Sequence, residues 1–300
     1  LFKIPNFYVW GLKKDTNTLG ITVFETISQT RAWADQVRAS GKTIGFVPTM
    51  GALHPGHISL VEKARSECDY VITSIFINPT QFNNSSDLDK YPRTLETDLL
   101  MLHAHGCDAV FAPEIAEMYP TLEKGHWDFG LVSSRLEGHF RPGHFDGVCT
   151  VVKKLFEIVT PHKAYFGEKD FQQLAIIRKL TVFEKMEIEI ISVPTMREAD
   201  GLAMSSRNMR LTPEQRQHAL GISKTLFAMR ENQHGDLSPA ALEEFGKRML
   251  SEEPGILLEY LKIVDGDSFE DLEAWNTQNP VVLFAGYVGE IRLIDNLTLN

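Results

Sequence analysis

The chain has 300 residues, 43% of them hydrophobic and 23% charged, the composition of a globular protein long enough for about two domains of about 150 residues each. Its 30 Lys and Arg against 40 Asp and Glu leave a net charge of −10. That excludes a nucleic-acid binder held by bulk electrostatics, so an anionic ligand needs a local cluster of positive groups. No apolar run approaches the about 20 residues that cross a bilayer, and Cys68, Cys107 and Cys149 lack CxxC spacing, so they read as reduced thiols of a cytoplasmic protein without a membrane anchor.

Residues 1–20 carry Phe2, Phe7, Tyr8 and Trp10 among Lys3, Lys13 and Lys14. They have neither an apolar core region nor a small-residue cleavage site, so they do not read as a signal peptide. An extension outside the catalytic unit is expected there.

From 21 to 195 strand and helix alternate. Ile27–Ala39 is an amphipathic helix and Thr43–Val47 an apolar strand; Ile58–Glu67 is a helix, and Tyr70–Ile77 a strand ending at Asn78-Pro79. Leu95–His105 reads as a helix stopped by Gly106, Asp108–Ala112 as a strand, Gly147–Ile158 as a helix and Ala164–Phe166 as a short strand. Asp170–Phe183 is a further helix and Glu187–Val193 a further strand. Continuous apolar strands separated by helices predict an α/β, Rossmann-like parallel sheet with helices on both faces. A smaller α+β domain is expected over 196–300. Its helices are Pro213–Arg230 and Pro239–Leu250, and its short strands Glu259–Val264, Val281–Tyr287 and Glu290–Ile294, the last two joined as a hairpin.

Ligands of parallel sheets bind beyond the carboxyl ends of the strands, and the unusual residues of this chain follow such ends. Pro48-Thr-Met-Gly-Ala-Leu-His54-Pro-Gly-His57 comes directly after the first apolar strand. A helix N-terminus there presents unpaired N–H groups to an anion, and two imidazoles at i and i+3 share one face of its first turn. Gly51 and Gly56 are expected to let the backbone approach the ligand. The same HxxH also fits half a metal site or two surface histidines.

Asn78-Pro-Thr-Gln81 follows the second strand, and Gln81 can both donate to and accept from a hydroxy acid. Arg141-Pro-Gly-His-Phe145 fits either a lid over anions or a loop with structural salt bridges. Gly167-Glu-Lys-Asp170 places a mobile cation, Lys169, at a strand-to-helix turn, with Gln173 on the helix behind it; a solvated charged turn is the alternative. Met204-Ser-Ser-Arg207 is either a compact phosphate donor set or a polar turn.

Together these segments resemble the pantoate–β-alanine ligases, the pantothenate synthetase family within the HIGH-type nucleotidyltransferases. The resemblance rests on PTMGALHPGH at 48–57, INPTQF at 77–82, YPRTLETD at 91–98, RLEGHFRPGHFDGV at 135–148, YFGEKDFQQ at 165–173 and PTMREADGLAMSSRN at 194–208. It covers about residues 21 to 300, with HPGH standing for HIGH and MSSR for KMSKS. It implies ATP-dependent condensation of pantoate with β-alanine through a pantoyl-adenylate, with release of AMP and pyrophosphate, as a step toward coenzyme A.

By the same resemblance the ATP site comprises Met50, Gly51, Ala52, Leu53, His54, Pro55, Gly56 and His57, together with Gly167, Glu168, Lys169 and Asp170, and with Met196, Met204, Ser205, Ser206 and Arg207. His57, His54, Lys169 and Arg207 would act on the phosphates. Gln81, Gln173 and Asn78 would hold pantoate and β-alanine. Mg2+ is implied on the ATP phosphates, with Asp98 and less surely Glu96 beside it, since Thr97 replaces an acidic position of some relatives. A cytoplasmic homodimer is implied as well. The competing expectations are an adenylyltransferase that stops after pyrophosphate release, and a non-catalytic nucleotide-binding protein on the same fold.

Overall fold

The structure, a computed structural model, describes residues 20–82, 88–121, 124–233 and 237–299. The extension expected at 1–20 lies outside the described residues except for Gly20. Among the described residues, six strands form a parallel sheet in the order β1-β4-β3-β2-β5-β6. They are β1 (Thr22–Phe24), β2 (Ile44–Thr49), β3 (Tyr70–Ile75), β4 (Ala109–Phe111), β5 (Lys163–Gly167) and β6 (Glu189–Val193). The principal helices between them are α1 (Ile27–Ala39), α2 (Pro55–Glu67), α3 (Leu95–Ala104), α7 (His144–Val159) and α8 (Phe171–Phe183). Three four-residue turns of helix, α4 (Ile115–Met118), α5 (Leu131–Ser134) and α6 (Glu137–Phe140), lie before α7.

Alternation along each strand assigns side chains to the two faces. Phe46, Ile72, Phe111 and Phe166 pack with α1, α7 and α8, whereas Val47, Val71, Val110 and Tyr165 pack with α2 and α3. Helices therefore cover both faces, as expected for buried parallel strands.

The strand order reverses at β2: the chain moves from β2 to β3 on one side, and from β5 to β6 on the other. A doubly wound sheet opens its ligand crevice at such a reversal. The loops leaving β2 and β5 are the HxxH and Lys169 segments, so the topology brings together two segments more than a hundred residues apart in sequence.

The C-terminal unit has an antiparallel sheet in the order β7-β8-β9 (Ile256–Asp265, Pro280–Val288 and Ile291–Thr298). The expected β8–β9 hairpin is present, turning at Gly289 with φ 59°. Helices α9 (Pro213–Asn232) and α10 (Pro239–Glu252) pack Ile222, Leu226 and Leu242 onto Leu261, Val282 and Phe284. Thr212 starts α9 with a capping box to Gln215, and Ser238 caps α10.

This unit is seated firmly on the larger one. Val264, Phe269, Val281 and Leu283 join the apolar core of the parallel-sheet domain. Arg292 on β9 reaches the buried Glu137 of α6 at 2.6 Å and also pairs with Glu259. Burial would raise the Glu137 carboxyl, but the Arg292 guanidinium outweighs it and holds the pKa down at about 2.

Several expected boundaries shift. The strand expected at Thr43–Val47 continues to Thr49, and β1 was not expected, its three residues being too short to show a period. Helix α7 begins at His144, three residues before the expected start, because Gly143 in the left-handed region (φ 75°) already turns the chain into it. The helix expected from Asp170 begins at Phe171, since Glu168–Asp170 is a 3-10 turn. Strands β7 and β9 are longer than expected.

Candidate active site

A cavity of about 210 Å³, against 30 and 10 Å³ for two smaller ones, opens beyond the ends of β2 and β5 among the described residues. Met50, His54, Gly56 and His57 line it from the first segment, Gly167, Lys169 and Asp170 from the second, and Met196, Met204, Ser205, Ser206 and Arg207 from the third. Asn78, Gln81 and Gln173 line the remaining wall. Gly51, Ala52, Leu53, Pro55 and Glu168, expected at the nucleotide, are not among its lining residues.

Gly51, Ala52 and Leu53 form the turn behind the lining instead. Gly51 (φ 81°) and Ala52 (φ 51°) are consecutive left-handed residues, a conformation that costs a non-glycine residue about 1 kcal/mol or more and must be held from outside. Asp98 holds it. One carboxylate oxygen accepts the Ala52 N–H at 3.0 Å and the other the Leu53 N–H at 2.9 Å, while Thr94 supplies its hydroxyl at 3.2 Å. The space at Gly51 is taken by Asp98, and that at Gly56 by the His54 ring, which a Cβ would meet at 2.9 Å. Of the two glycines, Gly56 lines the cavity and Gly51 does not.

The two histidines cap α2. The Gly56 N–H donates to His54 Nδ1 at 3.2 Å, and the His54 N–H donates to His57 Nδ1 at 3.3 Å. An Nδ1 that accepts places the ring proton on Nε2, an assignment made from these bonds. Burial lowers the His54 pKa to about 4, helped by Lys169. It lowers that of His57 to about 3, helped by His54 and Lys169. Both rings are therefore neutral Nε2–H donors at pH 7, and the site's positive charge comes from Lys169 and Arg207.

Gln81 and Asn78 divide the work expected of both. Asn78 is 1% exposed, and its amide donates to Gly147 O at 3.1 Å and to Gln81 Oε1 at 3.2 Å. Its own oxygen accepts from Tyr119 and Thr80. Asn78 thus orients Gln81, whose Nε2 meets Met50 Sδ at 2.8 Å. Arg141 is tied to Glu137 at 3.3 Å and donates to Gln81 O at 3.4 Å, the structural salt bridge rather than the lid.

The adjacent glutamines of α8 also separate. Gln172 is buried and donates to Val132 O and Arg135 O while accepting the Glu137 N–H. Gln173 faces the cavity. In the third segment Met204 N–H donates to Met196 O at 2.9 Å, Ser205 caps the 3-10 turn Ser206–Arg210, and Ser206 Oγ lies 3.3 Å from the Tyr91 hydroxyl.

Among the lining residues that sequence reasoning missed are Tyr91 and the apolar stripe Val148, Val151, Val152 and Leu155 on α7, with Phe76 just after β3. Its i, i+3, i+4, i+7 spacing is visible in the sequence but reads equally as core.

Among the described residues, no three His, Cys, Asp or Glu side chains lie together to hold a metal ion. Asp98, expected beside Mg2+, is 1% exposed and committed to backbone N–H groups and Thr94. Its pKa is raised, burial outweighing those bonds. In this structure Asp98 braces the Ala52–Leu53 turn, and the described residues gather no cluster of carboxylates or imidazoles around it.

A family model described as pantoate-beta-alanine ligase matches residues 22–298. A pantothenate synthetase of Bacteroides fragilis is 47% identical over 276 residues, covering 92% of this chain and 98% of that protein. One from Porphyromonas gingivalis is 46% identical over 280 residues, covering 92% and 98%. Among solved structures, pantothenate synthetase from Thermus thermophilus superposes with a TM-score of 0.87 at 42% identity, covering 92% of this chain and 99% of that one. A Francisella tularensis pantoate-beta-alanine ligase complexed with beta-gamma ATP and beta-alanine has a TM-score of 0.77 at 37% identity, covering 93% and 97%.

Proposed function

The chain belongs to the pantoate–β-alanine ligase family, and we propose that it joins pantoate to β-alanine through a pantoyl-adenylate formed from ATP in the cavity beyond the ends of β2 and β5. The observation that carries this is the make-up of the cavity's lining. Neutral His54 and His57, Lys169 and the Ser205–Arg207 turn line it together with Gln81, Gln173 and an apolar face of α7. The first set suits phosphates and the second a hydroxy acid with an aliphatic body.

In the first step a pantoate carboxylate oxygen attacks the α-phosphorus. The bond from that phosphorus to the oxygen leading to the β-phosphorus breaks, and pyrophosphate leaves. Two anions must meet, so the protein's task is alignment and charge neutralisation. His57 and His54 donate from Nε2 to phosphate oxygens without giving up the proton, and Lys169 and Arg207 supply the positive charge. In the second step the uncharged amine of β-alanine attacks the acyl carbon, the bond to AMP breaks, and the nitrogen loses a proton. Gln81 and Gln173 orient the hydroxy acid through both steps.

Magnesium enters as a companion of the ATP phosphates that keeps most of its waters. No step is assigned to it. The C-terminal unit closes the phosphate site as a lid through its Ser205–Arg207 turn. A cytoplasmic homodimer completes the proposal. All three cysteines are buried and free, which supports a reducing setting, and no helix among the described residues is long and apolar enough to cross a membrane.

The test is a steady-state assay of AMP formation with pantoate and β-alanine omitted in turn. AMP is expected only with both present. Pyrophosphate release with pantoate, and no AMP release when β-alanine is added, would instead identify an adenylyltransferase that stops after the first step.

A further inference from the structure

The Lys169 turn has no side-chain cap of its own. Glu168–Asp170 is a three-residue 3-10 turn, and neither Gly167 before it nor Asp170 before α8 makes a side-chain capping bond. Its tether comes from the other unit. On β9, Asn296 donates its amide to two consecutive carbonyls, Glu168 O at 2.9 Å and Lys169 O at 2.8 Å. Both partners are acceptors, which fixes the amide's orientation.

The preceding residue holds the other cationic segment. Asp295, 3% exposed, takes Arg197 in a bidentate pair at 2.7 and 2.9 Å, and Arg197 also donates to Asn296 O at 3.1 Å. Arg197 bridges Ala203 across a short hairpin, which Met204 N–H closes onto Met196 O. The hairpin's far strand runs directly into Ser205, Ser206 and Arg207.

We propose that Asp295 and Asn296 form a clamp that sets the distance between Lys169 and Arg207, making Asn296 and Arg197 positioning residues for the phosphate site. One rigid dipeptide of a paired strand fixes both arms, so loss of either tether frees one arm while the fold persists. The clamp rests on the ATP reading of the cavity but on no assumption about the acid that ATP activates.

The test is a double-mutant cycle of Asn296→Ala with Lys169→Ala, read as kcat/KM for ATP in pantoate-dependent pyrophosphate exchange and as affinity for a non-hydrolysable ATP analogue by calorimetry. Misplacement by a fraction of an ångström to one ångström lowers rates by about 10- to 100-fold, so Asn296→Ala alone is expected to fall in that range with its melting temperature nearly unchanged. In the Lys169→Ala background it should cost less than about twofold, because the group it positions is gone. Equal losses in both backgrounds would overturn the clamp. Should Asn296→Ala fail to fold, the cycle of Arg197→Lys with Arg207→Ala reads the other arm, with the same convergence expected and independent losses contradicting it. Analogue binding needs no acid substrate. A wild-type enzyme that binds the analogue but shows no pantoate-dependent exchange therefore overturns the substrate reading alone.

Discussion

The two kinds of cavity lining are built on different principles. The cationic and imidazole lining, proposed above to take the phosphates, is assembled from three loops whose donors hang on backbone bonds: the histidine caps of α2, the tethered Lys169 turn and the Arg197 hairpin. The apolar lining is one face of a regular helix, α7, joined by two amides, one of them aimed by buried Asn78. Charge neutralisation needs several donors around one oxygen-rich ligand, which loops at a sheet edge can supply from many directions. Recognition of an aliphatic acid needs a fixed shape, which a helix face supplies.

Variants should therefore fail differently in the two kinds of lining. The largest effect is expected for His57→Ala, which removes an Nε2–H donor from the phosphates and should lower adenylation by about 100-fold or more. Pyrophosphate exchange with circular dichroism measures it, and near-normal turnover of a folded variant would displace the α-phosphate from this lining. Next comes Asp98→Asn. Its amide can satisfy fewer of the Ala52 and Leu53 N–H groups, which should cost about 1–3 kcal/mol of stability along with activity. Added magnesium should restore neither. Recovery of activity in high magnesium would return Asp98 to the metal.

The adjacent glutamines sharpen the contrast within one turn of α8. Gln173→Ala should raise KM for pantoate by about 10-fold or more with stability unchanged. Gln172→Ala strands the Glu137 N–H and two carbonyls and should lower the melting temperature, with a smaller change in KM. The reverse pattern, scored by thermal melts and steady-state kinetics, would exchange their roles.

The smallest effect concerns pH. Burial lowers His54 to about 4 and His57 to about 3 in the native state, and His144 to about 3, from an ordinary 6.5. Below pH 6.5 the unfolded chain takes up protons that the native rings refuse, so stability is present above that pH and is lost as the pH falls toward 3. The melting temperature of the ligand-free protein should drop through this window, less steeply in His54→Asn. An identical slope in that variant would show that His54 titrates normally.

How much was legible in the sequence follows the same division. Buried strands of five or six residues and capped helices stood out, because apolar runs, Thr212-Pro213 and Ser238-Pro239 are local signals. Strand β1 and the four-residue helices did not, being too short for a period to register. That His54, His57 and Lys169 line the cavity was legible because each follows a strand end in a polar or glycine-containing turn. The role of Asp98 was not, since its partners lie 45 and 46 residues away in the chain. Nor was the apolar stripe of α7, because a helix face that lines a cavity has the same spacing as one that fills a core. Asn296 carried no local signal, and only the docking of the two units gives it a task.

The most direct measurement is exchange of labelled pyrophosphate into ATP by the purified enzyme, with pantoate present or absent and β-alanine withheld. Exchange that requires pantoate and proceeds without β-alanine is the predicted result. Exchange without pantoate, or none until β-alanine is added, would contradict a pantoyl-adenylate formed in this cavity.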